Sequence, residues 1–229
     1  MTARVASSYS TVWITRRCSV PLWCGWIGGL PPRKPHRSSR YPCLADGTAV
    51  PPEHTAALFT AIPGVQFPAH LPRVVRLNFG PEAEAGIATI LPPSMGQAYP
   101  HCVPAVDADG NERSGIRLPD ISVPLATYTG WNGRHPEMGA PDQLMGLMGA
   151  TLPFAPTQSA REAAGDLRLS IAERYPSKAD YLDRVTKAAQ ALVAEGYLLE
   201  DDVQTVLEQA SHRYDLLSSH VPAAQAVGG

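Results

Sequence analysis

Apolar positions along the last third of the chain recur at helical spacing. Tyr181, Leu182, Val185, Ala188, Ala189, Leu192 and Val193 fall at i, i+3 and i+4 and build one apolar stripe. Ser177, with Asp180 three positions on, caps the start of that helix, and Gly196 stops it. A further helix is predicted from about Asp201, where Glu200, Asp201 and Asp202 put negative charge at the positive end of its dipole. Val203, Val206, Leu207, Ala210, Tyr214 and Leu217 form its buried face. Two consecutive amphipathic helices joined by a short loop pack as an antiparallel pair. Ahead of them Ser159, with Glu162 three positions on, reads as the capping box of a short helix that Gly165 ends. From Ser218 the chain is small and polar, and is expected to fray.

Upstream the pattern changes. Of the 23 prolines, 21 lie between Pro21 and Pro156, and the total is about 10% of the chain against a usual 5%. Proline fixes φ and removes a donor, so residues 46–156 are expected to form loops and short edge strands. Candidate strands cover 74–79 and 101–106, and the second leads into Asp109-Gly110, a hairpin turn signal with a returning strand over 114–118. The fold class is therefore α+β: a Pro-rich region with short antiparallel strands and a β-hairpin over 46–156, then a helical region with a C-terminal helical pair over 157–229.

Charge divides the chain further. Residues 1–45 hold seven basic residues and no acidic one, which leaves −9 on the remainder of a chain whose net charge is −2. This basic leader is expected to be poorly ordered, because its basic residues are scattered and Arg16-Arg17 and Pro21 break the one apolar stretch before a secretory segment forms. Localisation accordingly defaults to the cytoplasm. A near-neutral chain without a long apolar run gives no case for nucleic acid or membrane as a partner.

The candidate chemistry is sparse. Gly-x-Ser-x-Gly is absent; its nearest approach, Pro93-Ser94-Met95-Gly96, lacks the first glycine, so no catalytic residue is assigned. Cys18, Cys24, Cys43 and Cys102 lack zinc-site spacing and read as free thiols, and the histidines are dispersed, so neither a metal site nor a cofactor is expected. Asp107, Asp109 and Asn111 form the most suggestive cluster: carboxylates and an amide within six residues can surround a hard cation or simply make a solvated turn. Arg117 and Arg174 are placed to hold carboxylates. Trp131 and Asn132 end an aromatic, hydroxyl-rich loop that reads as a pocket lining or a packed corner. The ligand-or-structural set is thus Asp107, Asp109, Asn111, Arg117, Trp131 and Asn132.

Ordered motifs add a resemblance. Tyr99-Pro100-His101-Cys102-Val103-Pro104-Ala105-Val106-Asp107-Ala108-Asp109-Gly110-Asn111-Glu112, Gly115-Ile116-Arg117-Leu118-Pro119 and Val123-Pro124-Leu125-Ala126-Thr127-Tyr128-Thr129-Gly130-Trp131-Asn132 come first. Pro153-Phe154-Ala155, Gly165-Asp166-Leu167-Arg168-Leu169-Ser170-Ile171-Ala172-Glu173-Arg174-Tyr175 and Leu192-Val193-Ala194-Glu195-Gly196-Tyr197-Leu198-Leu199 follow in order. Together they resemble the C-terminal region of the bacterial alpha/beta hydrolase domain-containing proteins, over roughly 39–211. The resemblance implies the tail of an esterase-like serine hydrolase, C-terminal to its nucleophile and base, inactive alone and partnered by the missing hydrolase core. Leu167 and Leu169 stand where the family usually has prolines. The acid-free start, with Leu22-Trp23-Cys24-Gly25-Trp26-Ile27-Gly28-Gly29 in place of an acidic amphipathic helix, reads as truncated or out of frame. A non-catalytic accessory module is the alternative, with a small calcium-stabilised domain centred on Asp107 and Asp109 behind it.

Overall fold

The computed structural model describes residues 39–219 other than His70, Pro72 and Pro141; the expectations for residues 1–38 and for the tail beyond Ser219 lie outside the described residues. The architecture is α+β, with six α-helices and three separate two-stranded antiparallel sheets among the described residues.

The helical pair forms as its pattern dictates. Helix α5 (Lys178–Ala194) is capped by Ser177, whose Oγ accepts the Asp180 N–H at 3.1 Å. It is closed by Gly196 at φ 76°, which brings the Tyr197 N–H to the Leu192 carbonyl. Helix α6 (Val203–Ser218) follows an acidic 3₁₀ turn over Glu200–Asp202. Lys178 at the start of α5 pairs with Asp215 near the end of α6, which makes the two antiparallel. The stripe residues Tyr181, Val185, Ala189 and Leu192 are buried against Val206, Ala210 and Leu217.

Leu125 and Phe154, which flank strands β5 (Ala126–Thr129) and β6 (Ala150–Pro153), join this pair in one core; the two strands form a ribbon paired Ala126 to Pro153 through Thr129 to Ala150. Helices α2 (Pro119–Ser122) and α4 (Ile171–Arg174) complete the core, in which Leu125, Phe154, Ile171 and Tyr181 are each at most 1% exposed. The Tyr175 hydroxyl donates to the Pro124 carbonyl at 2.9 Å, and burial pushes its pKa up to about 12. Helix α3 (Gln158–Ala164) has its cap two residues before the predicted one. Thr157, extended after Pro156, accepts the Ala160 N–H, while Ser159 lies inside the helix. The end at Gly165, in the left-handed region, is as expected. The capping box belongs instead to Ser170 and Glu173, which exchange side-chain and backbone bonds at the start of α4.

The Pro-rich region departs more. Helix α1 (Pro52–Thr60) stands where only loops and strands were expected. Pro52 occupies its first position, where a missing N–H costs nothing and the fixed φ favours a helix, and Glu53 complements the dipole. Strands β2 (Val75–Asn78) and β3 (Ser94–Ala98) form an edge ribbon in which Leu77 faces Met95. The predicted hairpin shrinks. Only Val103–Pro104 is strand (β4), and it pairs with β1 (Ala49–Val50), while the turn is closed by a single Val106–Glu112 bridge. Pro104 cannot donate to a ladder and Gly115, at φ 82°, turns the chain away, so 114–118 is not a returning strand.

Candidate functional site

The Asp-Gly turn is the local nucleus of the site. Asp107 Oδ1 accepts the N–H groups of Asp109 and Asn111, both at 3.0 Å, and the Gly110 N–H reaches the Asp107 carbonyl. Asp at the first position and Gly at the fourth is favourable turn chemistry. Gly110 has φ 81°, and a Cβ there would lie 2.8 Å from Thr127 Cγ2 and 3.2 Å from Phe59 Cε1. The missing side chain lets α1, the turn and β5 meet.

Asn111 is wholly buried. Its Nδ2 donates to the Ala126 carbonyl at 3.1 Å and its Oδ1 accepts the Tyr128 N–H at 2.9 Å, so one amide stands in for a neighbouring strand along β5. Two guanidinium groups hold the carboxylates. Arg117 Nη2 donates to Asp107 Oδ2 and to the Ile121 carbonyl, both at 3.0 Å, and Arg174 grips both oxygens of Asp109. The turn keeps partial solvent contact, and each of the four carboxylate oxygens of Asp107 and Asp109 already has a protein donor. Among the described residues no group of three or more His, Cys, Asp or Glu is arranged to hold a metal.

Beside it lies a buried ion pair. Asp166 and Arg168 bond at 2.6 Å with side chains under 10% exposed, and Arg168 Nη1 reaches Thr127 Oγ1 at 2.8 Å and the Leu152 carbonyl at 3.0 Å. The guanidinium groups of Arg168 and Arg174 lie 5.2 and 4.3 Å from the centre of the Phe154 ring. These groups tie the turn and β5 to the segment leading into α4.

The outer side of this knot opens into a cavity of about 220 Å³. Trp131 lines it, edge-on to Phe59 at 5.3 Å and to Phe67 at 5.8 Å. Among the described lining residues Glu112 alone is charged; the residue is exposed to solvent, and the partial desolvation of its carboxyl raises its pKa from the usual value. Tyr128 also borders the cavity; burial, reinforced by Asp120, raises its hydroxyl well above the ordinary tyrosine value.

Of the six residues singled out from the sequence, Asp107, Asp109, Asn111 and Arg117 converge in the turn, and Trp131 enters the cavity wall. Asn132 stands apart, its carbonyl accepting the Met145 N–H at 2.8 Å. Thr127 and Tyr128 belong to β5 and not to a loop. Phe59, Phe67 and Glu112 were missed. Glu112 lies within the acidic cluster, but nothing in its spacing announces that it borders the same cavity as rings contributed by α1 and the loop beyond it. Ser94 opens β3, a ribbon strand followed by no helix, so no nucleophile elbow forms there. Cys43 and Cys102 are free thiols.

Neither a curated protein nor a solved structure matches the chain. A family model described as the alpha/beta hydrolase domain matches residues 46–208, which span the turn, the cavity, the buried ion pair and most of the helical pair. The chain belongs to the alpha/beta hydrolase domain family.

Proposed function

We propose that this chain is the C-terminal portion of an esterase-like serine hydrolase, without the nucleophile and general base and catalytically silent by itself. The observation that carries this reading is a family match over 46–208 in a chain whose sequence has no Gly-x-Ser-x-Gly. An α/β hydrolase presents its serine on a strand-to-helix turn at the top of a sheet. The described residues offer only two-stranded antiparallel ribbons. Its partner is the hydrolase core, and the surface that meets that core is the β2–β3 ribbon, where Leu77, Met95, Val74 and Leu91 stay about half exposed or more. No described helix is long and apolar enough to cross a membrane.

Turnover of p-nitrophenyl acetate is the test. The purified chain is expected to give no hydrolysis above buffer, whereas hydrolysis abolished by a serine-directed inhibitor overturns the reading. The same exposed ribbon suits an accessory interaction module, the second reading. The DNA immediately upstream separates the two: it encodes the remaining hydrolase under the first and an unrelated protein under the second.

A further inference from the structure

We propose that the cavity bounded by Phe59, Phe67, Trp131 and Glu112 is a binding site for a small organic ammonium ion with an apolar body. Its volume, about 220 Å³, exceeds the roughly 150 Å³ of an apolar protein cavity that takes up benzene. One aromatic or short branched group therefore fits. Most of the wall is apolar, with Leu71 and Leu144 adding to the three rings. A mostly apolar concavity carrying one or two oriented polar groups is the general build of a small-molecule site.

The charge of the occupant follows from what the wall lacks. No basic residue lines the cavity among the described residues, and the Glu112 carboxylate has neither hydrogen-bond nor ion-pair partner among them. The contrast with the adjoining turn is informative: there Asp107 and Asp109 each have an arginine. An unpaired carboxylate lining the same cavity as aromatic rings attracts a cation twice, through its own charge and through the ring quadrupoles. A second polar group on the wall is Thr55, whose hydroxyl donates to the Pro52 carbonyl and keeps its lone pairs for a ligand N–H. Both groups accept, so the ligand donates.

The experiment uses three molecules of one shape on the full chain, followed by amide chemical-shift mapping at neutral pH: benzylamine as the ammonium, benzyl alcohol as the neutral form and benzoate as the anion. Benzylamine is expected to bind on the order of tenfold more tightly than benzyl alcohol, benzoate least, with shifts centred on 59, 67, 112 and 131. In Glu112→Gln the benzylamine affinity falls toward that of benzyl alcohol, the remainder being what the rings supply, while benzyl alcohol binds as before and thereby reports an intact cavity. If Glu112→Gln unfolds the chain, Glu112→Asp takes its place and is expected to keep the order of the three ligands. The proposal is overturned by benzyl alcohol or benzoate binding at least as tightly as benzylamine. Shifts elsewhere on the chain, no binding by any of the three, or a benzylamine affinity unaffected by Glu112→Gln overturn it equally. Because the readout is binding, it is independent of whether the chain hydrolyses esters.

Discussion

Gly110 and Asn111 show how two adjacent residues fix the relation between distant segments. Asn111 pairs with the Ala126 carbonyl and the Tyr128 N–H of β5, and it does so from 0% exposure, where an unmet backbone group is costly. Gly110 admits that amide by having no Cβ, since the space beyond its Cα is filled by Thr127 and Phe59. Gly110→Ala meets two penalties together: a left-handed φ on a residue with a side chain and an overpacked contact with β5 and α1. A loss of about 2–4 kcal/mol is expected in urea denaturation, accompanied by changed shifts at Phe59. A loss under about 0.5 kcal/mol, the usual scale of a neutral surface change, would show that the turn relaxes and that the close approach is not required.

At the scale of elements, two Ser-x-x-Glu runs, Ser159 to Glu162 and Ser170 to Glu173, look alike in sequence, yet only the second caps a helix. Ser170 is fully buried, its Oγ accepts the Glu173 N–H at 3.3 Å, and Glu173 Oε2 accepts from the Ser170 N–H and hydroxyl. Those bonds from Ser170 hold the Glu173 carboxyl below its usual pKa. Ser170→Ala is accordingly expected to destabilise the chain by about 1 kcal/mol or somewhat more. Ser159→Ala is expected to stay within about 0.5 kcal/mol. Equal melting-temperature losses for the two would contradict the assignment. The same comparison explains what the sequence made legible. The α5 and α6 stripes are long enough for periodicity to outweigh every local ambiguity, and Ser177 and Gly196 mark the ends of α5 where the structure has them. Helix α1 was hidden because proline density argued against helices, although Pro52 begins one and the next eight residues contain no proline. The hairpin was overextended because Asp-Gly specifies a turn and says nothing of how far pairing continues. Trp131 could be singled out by its type, whereas Phe59 and Phe67 join it only through the path of α1 and the following loop, which no local signal encodes.

Across the whole molecule, stability and exposure are unevenly distributed. The core built on α5 and α6, with Leu125, Phe154 and Ile171 packed into it, holds most of the large fully buried side chains, and the arginine-anchored turn joins the Pro-rich region to it. The β2–β3 ribbon lies outside that core: Leu77 and Met95 oppose one another at 49% and 79% exposure, and the loop joining the strands adds Ile87, Ile90 and Leu91 to the exposed apolar surface. A two-stranded ribbon is marginal by itself in water, and surface of this kind is normally covered. Native-state hydrogen exchange on the isolated chain is expected to give α5 and α6 protection near the global unfolding value, while the amides of β2 and β3 exchange with little protection. If the ribbon is the surface that meets the hydrolase core, supplying that core on the same chain or in trans slows exchange at 75–98 selectively and leaves α5 and α6 nearly unchanged. Full protection of the ribbon in the isolated chain would mean that it is already stable without a cover, and would remove the physical reason for assigning the hydrolase core to this face.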